Sequence, residues 1–128
     1  MVIDKEIAQY DAFHDWYMAA VSTDMFEKVV ELKSNHGKKG NRMKLRFTGA
    51  TRLLMNEFLI QNITYPVDIL HDYESDEYKQ ARSTLDRSYP WGRNEAPKPI
   101  ASINATIGAD LLVEFDSIEV LPDGQQVV

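Results

Sequence analysis

Apolar and polar residues alternate with a period of two through much of this chain. The cleanest case is residues 42–47, where Met43, Leu45 and Phe47 face one way and Arg42, Lys44 and Arg46 the other. That is the pattern of a strand with one buried face. The run before it, residues 25–34, sets Lys28, Val30 and Leu32 against Glu27, Val29, Glu31 and Lys33 and predicts its hairpin partner. Asn35-His36-Gly37-Lys38-Lys39-Gly40-Asn41 between them has the Gly and Asn content of a hairpin loop. Residues 13–21, aromatic or small on both faces, predict an earlier strand with Phe13, Asp15 and Tyr17 on one face and His14 and Trp16 on the other. Ser22-Thr23-Asp24 is the expected turn after it.

Further on the period is less regular. Residues 53–60 read as a strand with a bend at Asn56-Glu57, although Leu54, Phe58 and Gln61 also suit a helix face. Residues 63–70 are β-type, with Pro66 pointing to an edge, a bulge or a strand start. The one clear helix starts at Ser75, which can cap it. Asp76 and Glu77 lie in its first turn, Tyr78, Ala81 and Leu85 recur at helical spacing, and Pro90 stops it. A turn-rich loop at 88–99 carries Tyr89, Trp91 and Arg93, and two closing strands are predicted over 100–121 with a hinge at Gly108. The expected architecture is mainly β (α+β), an antiparallel sandwich or curled sheet of about seven strands with one short helix. It forms a single domain over 1–128, with 1–12 as an arm and 122–128 as a tail.

Composition narrows the function more than the fold. The chain has 128 residues, no cysteine and a net charge of −6. That length buries roughly two thirds of the unfolded surface without a staple, and the missing thiols remove disulfides and thiolate metal sites. The negative charge argues against nucleic acid and anionic membranes and permits a basic protein partner. The Arg42/Lys44/Arg46 stripe fits cross-strand pairing with Glu27 and Glu31 better than phosphate binding. Residues 1–10 include Asp4, Lys5 and Glu6 with no apolar run of export-signal length, and no stretch reaches the ~20 apolar residues of a membrane helix. The expected compartment is the cytoplasm.

Candidate chemistry is sparse. His14-Asp15 and His71-Asp72 are two HD pairs, and a metal site of His14, His71 and Asp72, serving a small hydrolase or ligand-binding β protein, is the alternative they offer. On a strand Glu114 and Asp116 would share a face, yet no raised pKa or sugar-sized cleft is indicated for them, and no catalytic residue is assigned. No serine sits in a nucleophile elbow and no Gly-rich cofactor fingerprint occurs, so no cofactor is expected. The densest acidic run, Asp72, Glu74, Asp76 and Glu77 beside Tyr73, together with Tyr89, Trp91 and Arg93, is the expected partner-binding surface. A homodimer through an edge strand is a further expectation.

Three segments carry a resemblance: Phe13-His14-Asp15-Trp16; Leu45-Arg46-Phe47-Thr48-Gly49-Ala50 with Asn62-Ile63; and residues 103–118, ending in Glu114-Phe115-Asp116-Ser117-Ile118. They cover about half the chain and are similar to segments of small, mostly uncharacterised bacterial proteins of immunity-protein type. The resemblance implies a cytosolic, non-enzymatic binder that masks a cognate toxin, and the acidic charge suits a basic nuclease toxin.

Overall fold

The alternation at 42–47 is realised as β3 (Arg42–Thr48), paired antiparallel with β2 (Val29–Asn35), so that Leu32 faces Leu45, Val30 faces Phe47 and Ser34 faces Met43. These relations come from a computed structural model, which describes residues 7, 8, 10–37, 40–64 and 66–123. Glu31 lies opposite Arg46 and accepts from its Nε at 2.6 Å, with Lys44 Nζ at 3.8 Å. Two cations of the basic stripe are thereby paired within the sheet, while Glu27 lies in the preceding turn.

Two antiparallel sheets enclose the core. The first runs β10 (Ser117–Pro122), β3, β2, β1 (Tyr17–Asp24), β5 (Ile63–Thr64), β8 (Ala105–Ile107). The second runs β4 (Arg52–Asn56), β9 (Asp110–Glu114), β7 (Ile100–Ile103), β6 (Asp68–Leu70). Of these ten strands β5, β6 and β8 have only two or three residues, which leaves seven of four residues or more. Met18, Leu32, Leu45 and Phe47 from the first sheet meet Ile69, Ile103, Leu111 and Val113 from the second, so the architecture is the expected sandwich. The chain passes between the sheets at six junctions, from β3 to β4, β4 to β5, β5 to β6, β7 to β8, β8 to β9 and β9 to β10, and only Asn104 separates β7 from β8. Residues 63–70 and 100–121 therefore form six strands in place of the three predicted, because short segments divide between sheets.

The helix, Asp76–Ser88, packs on the outer face of the second sheet. Ser75 caps it by accepting from the Tyr78 amide at 3.1 Å, and Tyr78, Ala81 and Leu85 are buried against Ile100, Leu54 and Leu112, as the helical spacing predicted. No helix among the described residues is long and apolar enough to cross a membrane.

Three local readings are corrected. Residues 13–16 are not strand: Asp11–Phe13 is a 3-10 turn, and Ala12, Phe13 and Asp15 have φ of 50°, 61° and 64°, which no strand ladder accepts. The turn brings Phe13 and Trp16 to the same side, with ring centroids 4.9 Å apart, and leaves His14 half-exposed. Residues 25–28 are turn as well, because the Asp24 carboxylate accepts from the amides of Phe26 and Glu27 at 3.0 Å each. Of residues 53–60 only 53–56 are strand: the expected bend at Asn56-Glu57 is present, with Glu57 at φ 55°, but the chain leaves the ladder there instead of continuing to Ile60. At the termini, Ile7 is part of the core and β10 continues to Pro122; residues 1–6, 9 and 124–128 of the expected arm and tail lie outside the described residues.

Candidate functional site

Register places Arg52, at the start of β4, directly opposite Glu114, at the end of β9. Both are on the outer face of the second sheet, the face the helix covers. The Arg52 side chain is only 1% exposed. Its Nε and Nη2 donate to the two carboxylate oxygens of Glu114 at 3.0 and 2.8 Å, and Nη1 donates to Asp86 of the helix at 2.7 Å and to the Tyr89 carbonyl at 3.2 Å. Thr51 Oγ1 adds a bond to Glu114 at 2.6 Å. A fork of this kind satisfies both ions when water is excluded.

Burial is the largest influence on Glu114 and would raise it. The bonds from Arg52 and Thr51 and the nearby positive charges outweigh it and hold the carboxyl below its ordinary 4.5. Burial likewise opposes the charged form of Arg52, and Glu114 and Asp86 overcome it. Glu31 is lowered chiefly by its bond to Arg46. The sign follows: carboxylates lowered on folding contribute stability that is complete above about pH 4.5 and is lost as pH falls through their folded values. The urea midpoint should be flat from pH 7 to about pH 5 and fall below that. Glu31→Gln should make the fall shallower.

Above this ion group lies a groove of about 820 Å³. One wall is the 25–28 turn, held where the Ala50 amide donates to the Lys28 carbonyl at 2.8 Å. The other is the segment 91–98. Arg82 of the helix fastens that segment by donating to the carbonyls of Glu95 and Arg93 at 2.6 and 3.2 Å, and Lys98 reaches Asp116 at 3.1 Å. Gly92 lies flat on the Arg52 guanidinium: a Cβ there would sit 2.8 Å from Nε, so only glycine permits the approach. Met25 and Trp91 line the groove at 78% and 72% exposure, and Phe26 is exposed in the same turn as Met25. Trp91 is steadied edge-on by Tyr89 at 5.2 Å, and the Tyr89 hydroxyl donates to the Leu53 carbonyl.

The residues expected to bind a partner divide between the two ends of the helix. Tyr89, Trp91 and Arg93 follow its C-terminus, and of these Trp91 lines the groove while Tyr89 supports it from beside. Asp72, Tyr73, Glu74, Asp76 and Glu77 are exposed around its N-terminus, about 20 Å away along a 13-residue helix. Part of that acidic run is structural, since Asp72 accepts from the Glu74 amide at 3.1 Å and, through its carbonyl, from Ser75 Oγ at 2.8 Å. The alternative metal site is not assembled. Among the described residues no group of three His, Cys, Asp or Glu could hold a metal ion, so His14, His71 and Asp72 do not converge. His14 instead lies 3.5 Å from Asp15, and His71 lines a depression with Ile7, Val67 and Asp68. Glu114 and Asp116 are engaged separately, one by Arg52 and the other by Lys98. Sequence reasoning missed Met25 and Phe26, which it took for strand, and the Arg52–Glu114 pair.

No protein-family model and no curated protein sequence matches the chain.

Proposed function

We propose that this protein is a non-enzymatic binding module that grips a segment of another protein in the groove above Arg52 and Glu114. The observation that carries this reading is the exposure of Met25 and Trp91 on the lining of a groove whose floor is already saturated. Large apolar side chains held in water on opposing walls are the composition of an interface hot spot, and the satisfied ion pair beneath them gives a rigid base without a reactive group. Within this class we favour an immunity-type protein that neutralises a basic toxin in the cytoplasm. Its support is the segment resemblance and the net charge of −6.

A photo-reactive benzoylphenylalanine placed at position 91 in the full chain, irradiated in cells, tests the reading. The expected result is an adduct with one basic protein whose toxicity co-expression of the wild-type chain suppresses. Trp91→Ala should weaken that complex by about 2 kcal/mol or more and change folding stability by no more than about 0.5 kcal/mol. The absence of any protein adduct at position 91 would overturn the proposal.

A further inference from the structure

Away from the groove, β4 ends at Asn56 and the chain turns out through residues 57–61 before returning at Asn62. Phe58, Leu59 and Ile60 stand exposed on this loop, with Met55 just before it, and Ile60 makes no use of the core at all. Consecutive large apolar residues in water are usually mobile or collapsed onto a neighbouring surface. Here they are held out by a buried side chain. Asn62 Oδ1 accepts from the Leu59 amide at 2.9 Å and the Ala109 amide at 3.0 Å, and its Nδ2 donates to the Leu59 carbonyl at 2.7 Å. The Asn62 carbonyl in turn accepts from the Met18 amide of β1 at 2.8 Å. Gly108, at φ +96°, makes room for it: a Cβ there would lie 2.2 Å from Asn62 Oδ1. Both sheets therefore fix one loop that carries three consecutive exposed apolar side chains between Glu57 and Gln61.

We propose that this loop is a preorganised anchor that inserts Phe58, Leu59 and Ile60 into an apolar pocket rimmed by lysine or arginine on a partner protein. The charge around it selects that occupant. The sequence of segments 53–66 and 99–123 contains neither Lys nor Arg but six carboxylates, Glu57, Asp110, Glu114, Asp116, Glu119 and Asp123, of which Glu57 lies in the loop and Asp110 next to Ala109. Docking a second copy through the same loop would bring Glu57 and Asp110 against their own counterparts, a like-charge contact. An anionic lipid surface is disfavoured for the same reason, since interfacial segments use basic residues beside their apolar ones. A basic rim complements the site, and the fixed loop lowers the ordering cost of binding. The inference rests on the protein-binding reading above and adds a second contact surface to it.

Benzoylphenylalanine at position 60, irradiated in cells in parallel with position 91, tests the anchor. The expected adduct is with one protein, joined at a peptide in which apolar residues are flanked by Lys or Arg. Ile60→Ser with Phe58→Ser should weaken binding of that purified protein on the order of 30-fold. Unchanged circular dichroism and melting of the double variant would confirm that the loss is one of contact. An adduct at position 91 and none at position 60 overturns the anchor and leaves the groove reading standing. Loss of adducts at both positions overturns both. An adduct at position 60 with a second copy of this chain, or with a peptide lacking basic residues, overturns the anchor as stated.

Discussion

Arg52→Met is expected to destabilise the protein by about 3 to 5 kcal/mol, enough to unfold a marginal domain at physiological temperature. The methionine fills most of the volume, so the loss is electrostatic. Glu114 remains buried with both oxygens stripped of their nitrogen donors, and Asp86 loses its ion pair with Arg52. Pairing Arg52→Met with Glu114→Leu should recover much of the loss, since removing both members of a buried pair costs less than orphaning one. Urea denaturation of the two single variants and the double variant, followed by circular dichroism, checks this. A double variant less stable than either single would contradict it.

Trp16→Ala is the second large effect, expected to cost about 3 to 5 kcal/mol. Trp16 is 4% exposed, packed edge-on against Phe13 at 4.9 Å and Tyr10 at 5.9 Å and stacked on His36 of the β2–β3 loop at 5.0 Å. Its backbone contributes too, because its carbonyl accepts from the Thr64 amide at 3.1 Å. The indole thus ties the turn before β1 to the β2–β3 hairpin loop. Because the chain has only two tryptophans, Trp16→Ala leaves the exposed Trp91 as the sole indole, so urea denaturation of this variant is followed by circular dichroism. A folded Trp16→Ala protein of near wild-type stability that had lost only its partner would overturn the anchoring role.

What the sequence made legible was local. The β3 alternation, the Ser75 cap and the Tyr78/Ala81/Leu85 face each depend on side chains within a few residues of one another, and each is present as read. The failures have local causes of another kind. Met25 and Phe26 continue an apolar pattern, yet one carboxylate, Asp24, is enough to fold them into a turn. Phe13 and Asp15 adopt left-handed backbone without being glycine, and no residue type announces that. The groove was invisible for a third reason. Arg52 and Glu114 are 62 residues apart, and their meeting depends on strand register. The available hint was a lone charge set against apolar neighbours, Arg52 before Leu53-Leu54 and Glu114 between Val113 and Phe115, which is the signature of a buried ion seeking its opposite.

The repeated passage of the chain from one sheet to the other also bears on how the molecule meets its own copies in concentrated solution. Each sheet ends in two strands, and an uncovered edge is a template for aggregation. The sheet changes leave β6 and β8 with three residues apiece, too short to recruit a neighbour. β4 is flanked by the chain that follows the helix, whose Tyr89 hydroxyl occupies the Leu53 carbonyl. Among the described residues that leaves β10, six residues ending in Pro122, as the longest edge strand, and a proline that cannot donate to a ladder closes its far end.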